Sequence, residues 1–137
     1  MEPDVLLEWI GTPGLQMDAI NALNMELLLA DNVDTVFQKL PPRSFLPVIC
    51  KIFLDASAEI DLIEAAMRAV THYLDVHVDC ARRVSSVEGA VPAICSRLEA
   101  TDFGTLDVFT PVLPYVLHRT YARACVRVVR SQMNTRN

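Results

Sequence analysis

The side chains able to act as nucleophiles, ligands or charge carriers are few, and their spacing restricts their chemistry. Four cysteines stand at 50, 80, 95 and 125, with no C-x-x-C pair among them. A catalytic thiol must ionise, which requires an electropositive or base-bearing neighbourhood. Cys50 and Cys95 instead follow Val48-Ile49 and Ala93-Ile94, so burial as small apolar side chains is expected. His72, Asp75, His77, Asp79 and Cys80 form the densest set of ligand-type residues. A zinc site would need about four of them converging tetrahedrally. His72 and Asp75 fall in a helical pattern and the rest in the link after it, so an exposed polar segment is expected, with no metal site. Asp31-Asn32-Val33-Asp34 lacks the glycine and distal glutamate of a calcium loop and reads as a turn and helix cap. No catalytic residue and no cofactor site emerge from these patterns.

Charge is the remaining chemistry. Arg119, Arg123, Arg127 and Arg130 are spaced four, four and three, so they share one helical face, with Leu117, Tyr121, Ala124 and Val128 on another. Such a stripe suits a phosphate, an acidic peptide or an anionic surface. The plainer reading is a solvated face that offsets an acidic body. Residues 1–114 carry seven basic and seventeen acidic side chains, whereas 115–137 carry five arginines and no acid. No aromatic residues interleave the arginines for base stacking, which disfavours nucleic acid. Arg82-Arg83 is too short to make a nucleic-acid patch. Trp9 suits a partner anchor, but more often such a residue closes a first hydrophobic layer.

The elements that must position these groups are helices. The chain has 137 residues, 52% hydrophobic and 21% charged, with a net charge of −5, which is globular and not disordered. The apolar share is slightly high, as in a stacked array with a face that meets a neighbour. Only four glycines occur and no Asn-Gly or Asp-Gly hairpin signal, so the fold class is read as all α. No apolar run approaches the roughly 18 residues of a membrane span. The start, Met1-Glu2-Pro3-Asp4, is acidic and unlike a secretory signal. With unpaired, scattered cysteines, this points to reduced thiols in the cytoplasm or nucleus, not to secretion.

In chain order, Asp4 is expected to cap a short helix over 4–10, ended by Gly11-Thr12-Pro13-Gly14. A helix over 15–30 places Ile20, Leu23, Leu27 and Leu28 on one face, and a short apolar piece, Val36-Phe37, follows. Pro41-Pro42 then heads a helix in which Phe45, Leu46, Ile49, Ile52 and Phe53 recur at three- and four-residue spacing. Pro47 allows its regular part to begin as late as Leu46. A long helix over 59–76 uses Ile60, Ile63, Met67, Val70 and Leu74, with Glu64 and Arg68 as an i,i+4 pair. A shorter segment over 78–87 leads to Gly89, in the left-handed position that ends a helix. Ala90-Val91-Pro92-Ala93-Ile94 starts the last clear helix.

Leu46-Pro47-Val48-Ile49-Cys50 lines up with Val91-Pro92-Ala93-Ile94-Cys95 forty-five residues later, with three identities. A period of about 40–47 residues is the mark of armadillo and HEAT arrays. The expected organisation is an N-terminal capping helix over 1–14, two armadillo-like repeats over 15–100, and a divergent third repeat or basic helical tail over 101–137. Several strings carry a closer resemblance: PDVLLEWI at 3–10, DNVD at 31–34, PPRSFLPVICKIFLD at 41–55, YLDV at 73–76, CARR at 80–83 and VEGAVPAICSRL at 87–98. Over residues 3–99 they resemble the large HECT-type E3 ubiquitin ligases that carry armadillo-like and ankyrin repeats before their catalytic domain. The resemblance implies an extreme N-terminal position, a non-catalytic role in recognising a substrate or partner, and protein partners, either a ligase substrate or the rest of the ligase. It implies no enzyme activity for this stretch alone, since the HECT thiolate lies in a large C-terminal domain that nothing here matches. The alternative is a free-standing helical-repeat protein whose arginine stripe engages nucleic acid or an acidic partner.

Overall fold

A computed structural model describes residues 2–77 and 79–100. They form α1 (Pro3–Ile10), α2 (Gln16–Leu29), α3 (Val33–Lys39), α4 (Pro42–Leu54), α5 (Ile60–Val76), α6 (Asp79–Ser86) and α7 (Ala90–Ala100), with no strand among the described residues. Residues 101–137 lie outside this description, and so does the expected helix over 115–130.

Local chemistry accounts for most boundaries. Pro3 occupies the first turn of α1, where its fixed φ suits a helix and its missing N–H costs nothing. Glu2 is therefore the N-cap, and Asp4 lies inside the first turn instead of capping, where a carboxylate still favours the positive end of the helix. Asn32 caps α3: its Oδ1 accepts from the Thr35 backbone N–H at 2.8 Å and from the Thr35 hydroxyl at 3.0 Å. The apolar piece expected around Val36-Phe37 is thus part of a capped helix. α4 begins at Pro42, not at Leu46, because the Pro41 carbonyl accepts the Ser44 and Phe45 N–H groups. Pro47 sits within it and forgoes the bond to the Arg43 carbonyl, at an exposed residue. Gly89 has φ +80°, which favours glycine at the turn into α7, and a Cβ there would also come within 3.3 Å of Leu54 Cδ2, a contact that the exposed leucine can relieve by a small shift.

α5 is the centre of the packing. It lies along α2 in the most extensive helix pair and against α4. α4 in turn packs on α6 and α7, and α1 closes over α2 and α4. The order long helix, short helix, proline-entered helix therefore occurs twice, and corresponding helices touch: α2 with α5, and α4 with α7. Ile49 and Ile94, the identical isoleucines of the two matching strings, are both buried. Phe45, Leu46, Ile52 and Phe53 are buried beside Ile49, as their spacing predicts.

Two buried polar contacts cross between the first and second units. The Asn24 amide donates to the Ala65 carbonyl at 3.0 Å, where Ala65, Ala66 and Ala69 let α5 run close to its neighbours. The Tyr73 hydroxyl donates to the Leu40 carbonyl at 2.8 Å, which satisfies a carbonyl left over at the end of α3. Two residues expected on buried faces are not buried. Leu28 is 67% exposed because it sits on the outward arc of α2, and Ile60 is 52% exposed because it opens α5 ahead of the packed turns.

Candidate interaction surface

Cys50 and Cys80 have the surroundings of structural residues. Cys50 is fully buried on α4, and burial pushes its thiol from 9.0 up to about 12. Cys80, at the start of α6, rises to about 11 through burial, with Arg83 pulling the other way. Near neutral pH both are thiols, and a thiol is a poor acceptor for acyl transfer. Cys125 and the side chain of Cys95, expected to be buried, lie outside what the structure describes.

The histidine and aspartate set has local duties. His72 is half-buried on α5, and desolvation lowers its pKa, opposed by Asp75 and reinforced by Arg68. His77 is the C-cap of α5 and accepts the Asp79 backbone N–H at Nδ1, 3.1 Å away. Its ring meets Phe37 of α3 edge-on, with centroids 5.7 Å apart. Among the described residues, no three His, Cys, Asp or Glu side chains converge as metal ligands. Glu64 and Arg68 pair at 2.7 Å across one turn, on the exposed side of α5. Arg82 and Arg83 are exposed on α6, and Trp9 is half-buried against the core. Arg119, Arg123, Arg127 and Arg130 fall outside the described residues.

The surface feature that spacing alone did not isolate is the outward side of α2. Ala19, Ile20, Leu23, Asn24 and Leu27 face inward. Met17, Met25, Leu28 and Leu29 face outward, and Leu29 is 69% exposed. Val33 and Phe37 on α3 are exposed as well. Between the end of α2 and α3 lies a hollow of about 150 Å³, lined by Leu29 and Val36 with Glu26, Asp31, Thr35 and Lys39. The signal was present in composition: α2 carries leucine and methionine on more than one side, with Asp18, Asn21 and Glu26 between them. No lysine or arginine occurs before Lys39, whereas seven acidic residues do.

Two relatives of this chain are E3 ligases. It is 48% identical over 107 residues to E3 ubiquitin-protein ligase hecd-1 of Caenorhabditis elegans, covering 74% of the chain. It is 44% identical over 134 residues to E3 ubiquitin-protein ligase Ufd4 of Drosophila melanogaster, covering 94%. The chain is homologous to a segment of E3 ubiquitin-protein ligases. It spans 4% of the length of each of these ligases. The Ufd4 match leaves few residues uncovered, so most of 101–137 lies inside it, beyond residue 99 where the resemblance of individual strings ended. No family model and no solved structure matches the chain.

Proposed function

We propose that this chain is a non-catalytic protein-interaction scaffold of armadillo type, corresponding to the N-terminal part of a HECT-type ubiquitin ligase. It would recruit or orient a substrate or partner for ubiquitination in the cytoplasm or nucleus. The observation that carries this reading is the repeated order: α2–α3–α4 and α5–α6–α7 share it, with α2 stacked on α5 and α4 on α7. Stacked repeats present extended surfaces for binding. The relatives supply the pathway, and their great length supplies room for catalysis elsewhere. The buried, protonated Cys50 and Cys80 support a role without thioester chemistry.

Deleting the corresponding segment from a full-length ligase tests the proposal. Charging of the ligase with ubiquitin should persist, while ubiquitination of a subset of its substrates is lost. A deletion that abolishes charging, or that leaves every substrate modified as before, would overturn the scaffold reading.

A further inference from the structure

We propose that the outward face of α2, continued by the start of α3, is a docking surface for an amphipathic, lysine- or arginine-bearing helix of a partner protein. This deepens the scaffold reading and rests on it only in supposing a protein partner.

Met17, Met25, Leu28 and Leu29 are 37%, 57%, 67% and 69% exposed. From Met17 to Leu29 the axis advances about 18 Å, the length of three helical turns. Val33 and Phe37, 42% and 37% exposed, extend the apolar surface onto α3. Methionine and leucine make an adaptable apolar face, interrupted by exposed Asn21, against which the i, i+3, i+4 and i+7 anchors of a helix can pack. Met25 stands at the middle of the exposed arc, opposite buried Leu23 and Leu27.

Charge selects the occupant. Asp18 and Glu26 are exposed on α2, and Asp31 and Asp34 are exposed around the turn into α3. Residues 1–38 contain no lysine or arginine, and Lys39, which shares the hollow with Glu26 and Asp31, offsets only part of this charge, so the rim stays net acidic. An anionic membrane or an acidic peptide would be repelled by this rim. A second copy of the same face would bring like charges together. A helix with apolar anchors flanked by cations satisfies both the apolar stripe and the carboxylates.

The test uses the full chain and three synthetic 18-residue peptides, measured by fluorescence anisotropy. One carries leucines at i, i+3, i+4 and i+7 and lysines elsewhere. The second replaces its lysines with glutamates. The third scrambles the first so that no apolar face remains. The leucine–lysine helix should bind, more weakly as salt rises. The other two should bind at least tenfold more weakly. Leu28→Asp combined with Leu29→Asp should reduce binding at least tenfold while circular dichroism shows unchanged helicity. Asp18→Lys with Glu26→Lys, which leaves the leucines in place, should shift preference toward the glutamate peptide.

Equal binding of the scrambled peptide would reduce the effect to charge alone and overturn the proposal. Binding unaffected by the face variants would place the contact elsewhere and overturn it too. Self-association in sedimentation velocity that Leu28→Asp abolishes would make a second copy the occupant, against the proposal. Failure of the leucine–lysine helix to bind would sink this surface while leaving the scaffold reading to its own deletion test in the full-length ligase.

Discussion

Removing one hydroxyl, in Tyr73→Phe, tests how the two helical units are held together. Tyr73 is fully buried on α5, and its hydroxyl donates to the carbonyl of Leu40 at the end of α3. Leu40 is itself only 5% exposed, so water is poorly placed to replace the lost donor. Phenylalanine keeps the ring and its packing, so the change isolates the hydrogen bond. Leaving a buried carbonyl unpaired costs about 1–3 kcal/mol. With an unfolding entropy of about 2 cal/mol/K per residue, that corresponds to a fall in Tm of roughly 4–10 °C for a chain of this size. Burial also raises the Tyr73 pKa, so the hydroxyl remains a donor throughout the neutral and mildly alkaline range.

Thr71→Val is the matched control. The Thr71 hydroxyl donates at 2.9 Å to Met67, one turn back on the same helix. Its loss breaks a bond within α5 and no link between units, and such back-bonds contribute little to helix stability. Thermal melts of both variants in the full chain, read by circular dichroism, give the comparison. Hydrogen exchange adds a positional readout: amides of α3 should lose protection first in Tyr73→Phe. The reasoning fails if Tyr73→Phe melts within about 1 °C of the parent, or no lower than Thr71→Val.

Ile49→Ala and Ile94→Ala should each destabilise by about 2–5 kcal/mol, since both side chains are fully buried at equivalent points of α4 and α7; denaturant midpoints check this. Asn24→Leu should leave stability unchanged or raise the midpoint, because Asn24 Oδ1 is buried without a partner among the described residues and leucine removes that cost. Cys50 is held above its unfolded value, so the stability it contributes is complete below about pH 9 and is lost as pH rises toward 12; Cys50→Ala should flatten alkaline denaturation in that window. Incubation with activating enzyme, a charged conjugating enzyme and ubiquitin should give no reducible adduct on a non-reducing gel, and an adduct on any cysteine would contradict a scaffold without thioester chemistry. Arg119, Arg123, Arg127 and Arg130 should confer no salt-dependent nucleic-acid binding, measured by anisotropy with and without residues 115–137.

The sequence was most legible where one face had one job. In α4 the apolar residues occupy a single stripe, so spacing alone picked out Phe45, Leu46, Ile49, Ile52 and Phe53, and all five are buried. α5 read almost as well: Ile63, Met67, Val70 and Leu74 are buried as spaced. Ile60 failed because helical periodicity gives a direction but not how far along the helix its neighbours extend. The start of α4 was blurred by three prolines, and the deciding factor, a Pro41 carbonyl free to receive two N–H groups, is a matter of backbone geometry. Asp4 lost the capping position to the residue before Pro3, since proline fixes the first turn one residue earlier. The bonds from Asn24 to Ala65 and from Tyr73 to Leu40 span 41 and 33 residues and left no local trace.

α2 shows where periodicity gives out and why that matters for function. When leucine and methionine surround a helix, every face scores as a core face, and the assignment of Leu28 with Ile20, Leu23 and Leu27 was one of several equally periodic choices. Packing breaks the tie. α5 and α1 cover the arc holding Ile20, Leu23 and Leu27, leaving Met25, Leu28 and Leu29 to solvent. Folding has no use for this second apolar side within the described residues. Its exposure carries a cost in water, one that scattered single hydrophobics do not concentrate in one place. The charged side chains that border it on α2 and in the turn after it are all carboxylates, and Lys39, across the hollow on α3, offsets only part of them. A face kept merely soluble would serve with either sign of charge. A face that receives a cationic helix requires the sign found here.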